Sequence, residues 1–315
     1  MPTENYTSTS TASLGTSLVQ TAYDRYVEFA LRAMPLIRDV ADKRPAQQAM
    51  PGSSVVFQLY TDLSAVTGTL TETVDPDSVA LGNTSNVTVT LNEYGNAAIA
   101  TRKLELFSLS DVDPAIADII AFNMADSIDG FAQTVLRQGS NVIYSGGGTT
   151  TTGVTGGSVI TSANIRRAIA KLRANKAVPR VGELYWVGIH PEVSHDLRAE
   201  TGAGGWREAH VYNESGAGNL WPGSIGVYEG AMFVESPRMY NATDGGSSAR
   251  VFRTLICGKP ALAEAVAEEP HVVIGPVTDK LLRFRPIGWY GVLGFARYRE
   301  ASLYRIESTS SINNA

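Results

Sequence analysis

Between Met50 and Leu91 the chain alternates apolar and polar positions twice. Val55, Phe57 and Leu59 interleave with Val56, Gln58 and Tyr60, and Val87, Val89 and Leu91 with Thr88, Thr90 and Asn92. A period of two marks strands that bury one face. The polar span joining them, Thr61 to Asn86, carries Leu70, Glu72, Asp75, Pro76 and Asp77 near its middle. Loops of that length without structure of their own are usually functional. A lone two-stranded arm is marginal in water, so its apolar face calls for another surface, and a neighbouring subunit could supply it.

Elsewhere the period is helical. Leu18, Ala22, Tyr26, Ala30 and Ala33 predict a helix over Leu18–Arg38 that Pro35 kinks or ends. A longer helix is predicted from Asp113-Pro114 to just before Gly139, because Asp caps, Pro suits the first turn and Gly stops. Its stripe is Ile116, Ile119, Ile120, Met124, Ile128, Phe131 and Val135. At 1.5 Å per residue the rod is about 39 Å long, enough to brace a domain. Ser145–Ser158, rich in Gly and Thr, reads as a flexible surface loop or domain boundary.

A helix over Ser162–Asn175 should bury Ile165, Ala168, Ile169 and Leu172 and present Arg166, Arg167, Lys171 and Arg173 outward. A strand over Leu184–Ile189 and a helix from Pro191 follow, an order that indicates α+β architecture. Trp206, Tyr212, Trp221, Tyr228 and Phe233 punctuate a glycine-rich stretch to Met239, and Leu281–Glu307 reads as extended strands. There is no internal repeat.

The 315 residues suffice for about two domains, and 43% hydrophobic with 18% charged residues is ordinary globular composition. A net charge of -5 argues against a dedicated nucleic-acid reader and gives no attraction to anionic membranes. The single Cys257 excludes an internal disulfide, fits a reducing compartment and reads as a small buried hydrophobe. Met1–Ser17 lacks the basic and apolar regions of a signal peptide, and no run approaches the ~20 apolar residues of a membrane span. The expectation is a soluble protein made in the cytoplasm.

Candidate chemistry is thin. His190 and His195 are five residues apart, not the four that stack ligands on one helix face, so with Glu192 they read as structural. Glu264, Glu268 and Glu269 read as a solvated acidic run. No Gly-x-Ser-x-Gly elbow occurs, and the Gly-rich stretch lacks the Gly-Lys-Ser/Thr of a phosphate loop. Enzymatic function is therefore not expected. The basic face Arg166, Arg167, Lys171 and Arg173 is either solvated or a weak, sequence-blind polyanion contact. Glu72, Asp75 and Asp77 form either an intersubunit ion-pairing tip or a solvated one.

The order of these pieces resembles the major capsid proteins of tailed bacteriophages, whose Johnson fold is shared with herpesvirus capsids. The matching passages are Ala41-Asp42-Lys43-Arg44-Pro45, Gly52-Ser53-Ser54-Val55-Val56-Phe57, Leu70-Thr71-Glu72 with Pro76, and Glu93-Tyr94-Gly95. They continue in Asp113-Pro114, Gly139-Ser140-Asn141-Val142-Ile143-Tyr144, Gly288-Trp289-Tyr290 and the strands to Ile306-Glu307. The chain resembles most the branch that begins at the N-terminal arm without a fused scaffolding domain.

This resemblance implies an N-arm over 1–49, an E-loop over 50–102 that overlaps a neighbour, and a P-domain with its spine helix over 103–144. It further implies an A-domain over 145–276 and C-terminal strands returning through the P-domain over 277–315. Leu70, Glu72, Asp75 and Asp77 would then contact the next subunit. Hexamers and pentamers would tile an icosahedral shell around double-stranded DNA in the virion, after assembly in the host cytoplasm. The implied partners are other copies, a portal protein, scaffolding and decoration proteins, and packaged DNA held non-specifically, with no membrane, metal or cofactor. Some relatives crosslink a lysine to an asparagine between subunits, but Met50–Ile99 holds no lysine. An encapsulin-like compartment shell and a metal-dependent enzyme at His190, Glu192 and His195 are the alternatives.

Overall fold

A computed structural model describes residues 35–45, 54–60, 63, 65–75, 78–80, 85–107, 112–201, 224–276, 281 and 283–312. Most of the helix expected at Leu18–Arg38 lies outside these residues, as do Trp206, Tyr212 and Trp221. Where that segment enters the described part, beyond Pro35, it forms a 3-10 turn at Arg38–Val40 and then strand β1 (Ala41–Pro45).

The two alternating runs form β2 (Ser54–Leu59) and β3 (Ser85–Thr90), an antiparallel pair with Val55 opposite Val89 and Phe57 opposite Val87. Their inner face is covered by the chain itself, not left for a neighbour. Phe57 and Val89 pack with Ala263 and Ala265, and Phe57 meets the Tyr298 ring edge-on at 6.0 Å. The close approach is possible because residue 294 is glycine: a Cβ there would run into the Thr90 carbonyl.

Two sheets organise the rest. β4 (Asn92–Thr101), β11 (Leu262–Ile274) and β12 (Phe284–Arg297) join β1 in a four-stranded sheet of order β1-β11-β12-β4. Only the β1–β11 pairing is parallel. The second sheet runs β5-β13-β10-β6-β8-β7, with β9 paired to β10. It is built from β5 (Val142–Tyr144), β6 (Tyr185–Ile189), β7 (Ser224–Tyr228), β8 (Ala231–Glu235), β9 (Asn241–Ala242), β10 (Val251–Cys257) and β13 (Leu303–Ser308). The last strand therefore enters this second sheet, while β11 belongs to the first. Strand pairing thus crosses the boundary expected at residue 276, and the C-terminal strands do not stay in one sheet.

Helix α1 (Arg102–Phe107) leads to α2 (Val112–Leu136), the expected rod, about 37 Å long over its 25 residues. Its first half lies on the four-stranded sheet, where Ile120 is buried with Ile287 and Trp289, and Ile116 and Met124 pack alongside. Its last turns lie on the second sheet, where Ala132 and Leu136 join Trp186, Met232, Leu255 and Leu303. Ile119, counted in the predicted stripe, is 51% exposed, because the buried line passes through Ile120 instead.

The opposite face of the second sheet is covered by α3 (Ser162–Ala174) and α4 (Pro191–Ala199), which bury Ile165, Ala168, Ile169, Leu172, Val193 and Leu197. This sheet accordingly reads as continuous apolar runs, and every residue of β6 is buried. Ser145–Ser158 is more structured than a flexible loop. It makes two 3-10 turns, buries Val154, and is fastened by Thr309, whose Oγ1 donates to the Thr155 and Gly156 carbonyls at 3.2 and 3.3 Å.

Candidate functional site

The residues that could carry chemistry are dispersed. His190 ends β6 and caps α4, its Nδ1 accepting from the Glu192 N–H at 3.3 Å with the ring 4.8 Å from that of Phe252. Burial holds this imidazole below its ordinary pKa, so it stays neutral. Glu192 pairs with Arg250 at 3.4 Å. His195 points outward, 59% exposed, beside Asp196 at 3.3 Å. The three do not converge, and among the described residues no group of three His, Cys, Asp or Glu side chains could hold a metal. Cys257 is fully buried and its thiol is pushed up to about 12, which removes the thiolate a nucleophile needs.

Glu264 departs from expectation. Glu268 and Glu269 are solvated, but Glu264 is wholly buried and receives Arg38 Nη2 at 2.7 Å and Nε at 2.9 Å. A second buried carboxylate, Asp129 of α2, accepts from the Ile37 and Arg38 N–H groups at 2.6 and 3.1 Å. Arg238 Nε reaches its other oxygen at 3.3 Å and also binds Asp126. Burial raises the Asp129 pKa, and the backbone donors Ile37, Arg38 and Leu36 offset only part of that. Together Asp129 and Glu264 pin the root of the N-terminal segment between the sheets. Sequence reading missed this pair because the partners of Arg38 lie 91 and 226 residues away.

The surfaces are more informative than any cavity. Along the β2–β3 loop Val66 and Leu70 are 86% and 76% exposed, and Leu63, Val74 and Val79 are also exposed. Glu72 and Asp75 share that exposure, whereas Asp77 lies outside the described residues. Residues 46–101 hold five acids, Asp62, Glu72, Asp75, Asp77 and Glu93, and no Lys or Arg. A second apolar surface lies at the far end of the four-stranded sheet, where Ile99, Leu106, Ile274, Leu281 and Phe284 are exposed. The sheet face away from α2 has a shallow depression of about 640 Å³ floored by Gly95, Ala97, Val273 and Gly288 and edged by His271 and Tyr290. On α3, Arg166, Arg167, Lys171 and Arg173 are all exposed, as predicted.

Exposed apolar side chains on a projecting loop are an unusual cost for a chain that works alone. The arrangement suits contacts between macromolecules.

Comparison with known proteins accords with this. A family model described as phage capsid protein matches residues 20–312. Among solved structures, the capsid of Ralstonia phage GP4 superposes with a TM-score of 0.74 at 15% identity, over 96% of this chain and 98% of that one. The cyanophage Pam1 capsid asymmetric unit gives 0.73 at 14% identity, over 95% and 98%. An acid-stable capsid of Helicobacter pylori bacteriophage KHP30 gives 0.71 at 13% identity, over 98% and 100%. No curated protein matches.

Proposed function

Because the chain belongs to the phage capsid protein family, as a major capsid protein of a tailed phage whose copies form the virion shell, we propose that its projecting acidic loop is what ties each copy to the next. Leu70, Glu72, Asp75 and Asp77 contact the adjacent subunit, the apolar side chains supplying burial and the acids orientation. The observation that carries this is Leu70, 76% exposed at the middle of a loop whose base is anchored by Phe57 and Val89. A fixed base with an apolar, uncovered tip gains its burial only from another chain.

In this reading residues 1–49 form the N-arm and 50–102 the E-loop. Strands β11 and β12 with the first half of α2 form the peripheral P-domain, on whose two edges the N-arm strand β1 and the E-loop strand β4 pair, and the sheet carrying α3 and α4 is the axial A-domain. Strand pairing supports assigning β11 to the first and β13 to the second. Copies close into hexamers and pentamers around double-stranded DNA, with a portal at one vertex, after assembly in the host cytoplasm. Scaffolding and decoration proteins are further partners.

Deleting Leu63–Ser85 tests the assignment. The expected product keeps the circular dichroism of the full chain but sediments as small species, while the full chain yields shells or capsomer rings by electron microscopy. Normal shells from the deletion variant would refute the role of the loop.

A further inference from the structure

We propose that the outer face of α3 is a contact surface for the phosphate backbone of duplex DNA, an assignment that rests on the DNA-filled shell for the identity of its partner. From Ser162 to Lys176 the chain has five bases and no acid. Arg166, Arg167, Lys171 and Arg173 are exposed, and none is in an ion pair among the described residues. Arg38, Arg180, Arg238, Arg253, Arg297 and Arg305, by contrast, each close one.

Lys171 and Arg173 sit in the last turn, where the helix dipole favours cations by itself. Arg166 and Arg167 have no such reason. They lie one turn in from the positive end, which Glu200 already caps by accepting from Ser162 N at 2.9 Å and Ser162 Oγ at 3.1 Å.

The spacing forms two rows. Arg166 and Arg173 stand two turns apart on one side, and Arg167 and Lys171 about one turn apart on the other. Exposed Ala163, Ala170 and Ala174 lie between the rows and leave room for a rod to approach. Along the axis the rows span about 10 and 6 Å, near three and two nucleotide steps of about 3.4 Å. Between the rows the alanines offer no hydrogen bonds to base edges, and the cations stand at the spacing of phosphates along the flanks. The contact is therefore sequence-blind, as a wall against packaged DNA requires.

The test measures binding of the unassembled full-length chain to a short fluorescent duplex over a salt series. Four phosphate contacts predict a log-log salt slope of roughly -3 to -4, or about a hundredfold weakening between 50 and 200 mM. The variant with Arg166, Arg167, Lys171 and Arg173 all changed to Gln should lose that slope. A charge-matched control, with Lys43, Arg102, Lys103 and Arg299 changed to Gln, should keep it. An unchanged slope in the first variant, equal loss in the control, or competition by polyglutamate with no binding of duplex would overturn the assignment; the last would indicate an acidic protein partner.

Electron microscopy of the parent, the variant and the control under assembly conditions reads the shell assignment separately. Normal particles with lost duplex affinity support the inference. Loss of particles in the first variant alone would make the face a subunit contact and end it. Absence of particles from every preparation would count against the shell reading, while the salt slope still decides the DNA contact.

Discussion

Glu300 shows how single side chains fasten this fold across long sequence distances. Its Oε1 accepts from Ser140 N and, at 3.0 Å, from Ser140 Oγ, while its Oε2 takes Arg297 Nε at 2.9 Å. Burial alone would raise its pKa, but these donors overrule burial and hold it below the usual carboxylate range. A lowered folded-state value means the contribution to stability is complete above the unfolded value near 4.5 and is lost as pH falls through the folded one. Glu300→Gln should therefore cost about 1 kcal/mol at neutral pH, a figure kept small by the partial exposure of the carboxylate. Urea titrations of the subunit at neutral and acid pH should show the gap between variant and parent closing on acidification; a constant gap would disprove the linkage. The contact with Ser140 was not legible in the sequence, because 160 residues separate it from Glu300. The same holds for Glu264, whose burial depends on Arg38 far away in the chain. His190 was readable as structural, because five-residue spacing already separated it from His195.

Elements were more legible than residues, since their signals are local. The Asp113-Pro114 start, the Gly139 stop and the apolar period located α2 within a few residues. Its rotation was less well fixed: Ile119 and Ile120 are adjacent, and only the packed sheet selects Ile120 for the interior. That difference is measurable. Ile128→Ala removes a side chain only 1% exposed and should cost about 2–4 kcal/mol, whereas Ile119→Ala should stay within about 0.5 kcal/mol. Chemical denaturation of unassembled subunits would show it, and equal losses would mean the helix is rotated. The β2–β3 pair was recognised from alternation alone, but not its cover, because Ala263, Ala265 and Tyr298 lie some two hundred residues downstream. Sheet membership of β11 and β13 escaped for the same reason: local pattern specifies a strand, not its neighbour.

At the scale of the whole molecule, α2 packs on both sheets, so neither can lose its core without exposing part of the same rod. The unassembled subunit should therefore melt in one calorimetric transition with equal calorimetric and van't Hoff enthalpies, whereas two transitions would show that the sheets unfold separately. The family was legible from the order of the motifs along the chain, and the pairing of the sheets was not. The distribution of charge carries a further consequence. Residues 46–101 contain five of the 31 acids and none of the 26 bases, so the rest of the chain is formally neutral. A subunit in solution is thus an electric dipole with a negative hook on a tile of no net charge. Two tiles meeting flank to flank feel little long-range repulsion, but two hooks meeting tip to tip do. In the proposed loop-over-body contact, that repulsion biases the encounter away from two hooks meeting, before any contact forms. Raising the ionic strength should blunt that bias first, leaving the apolar contacts to find their register without guidance.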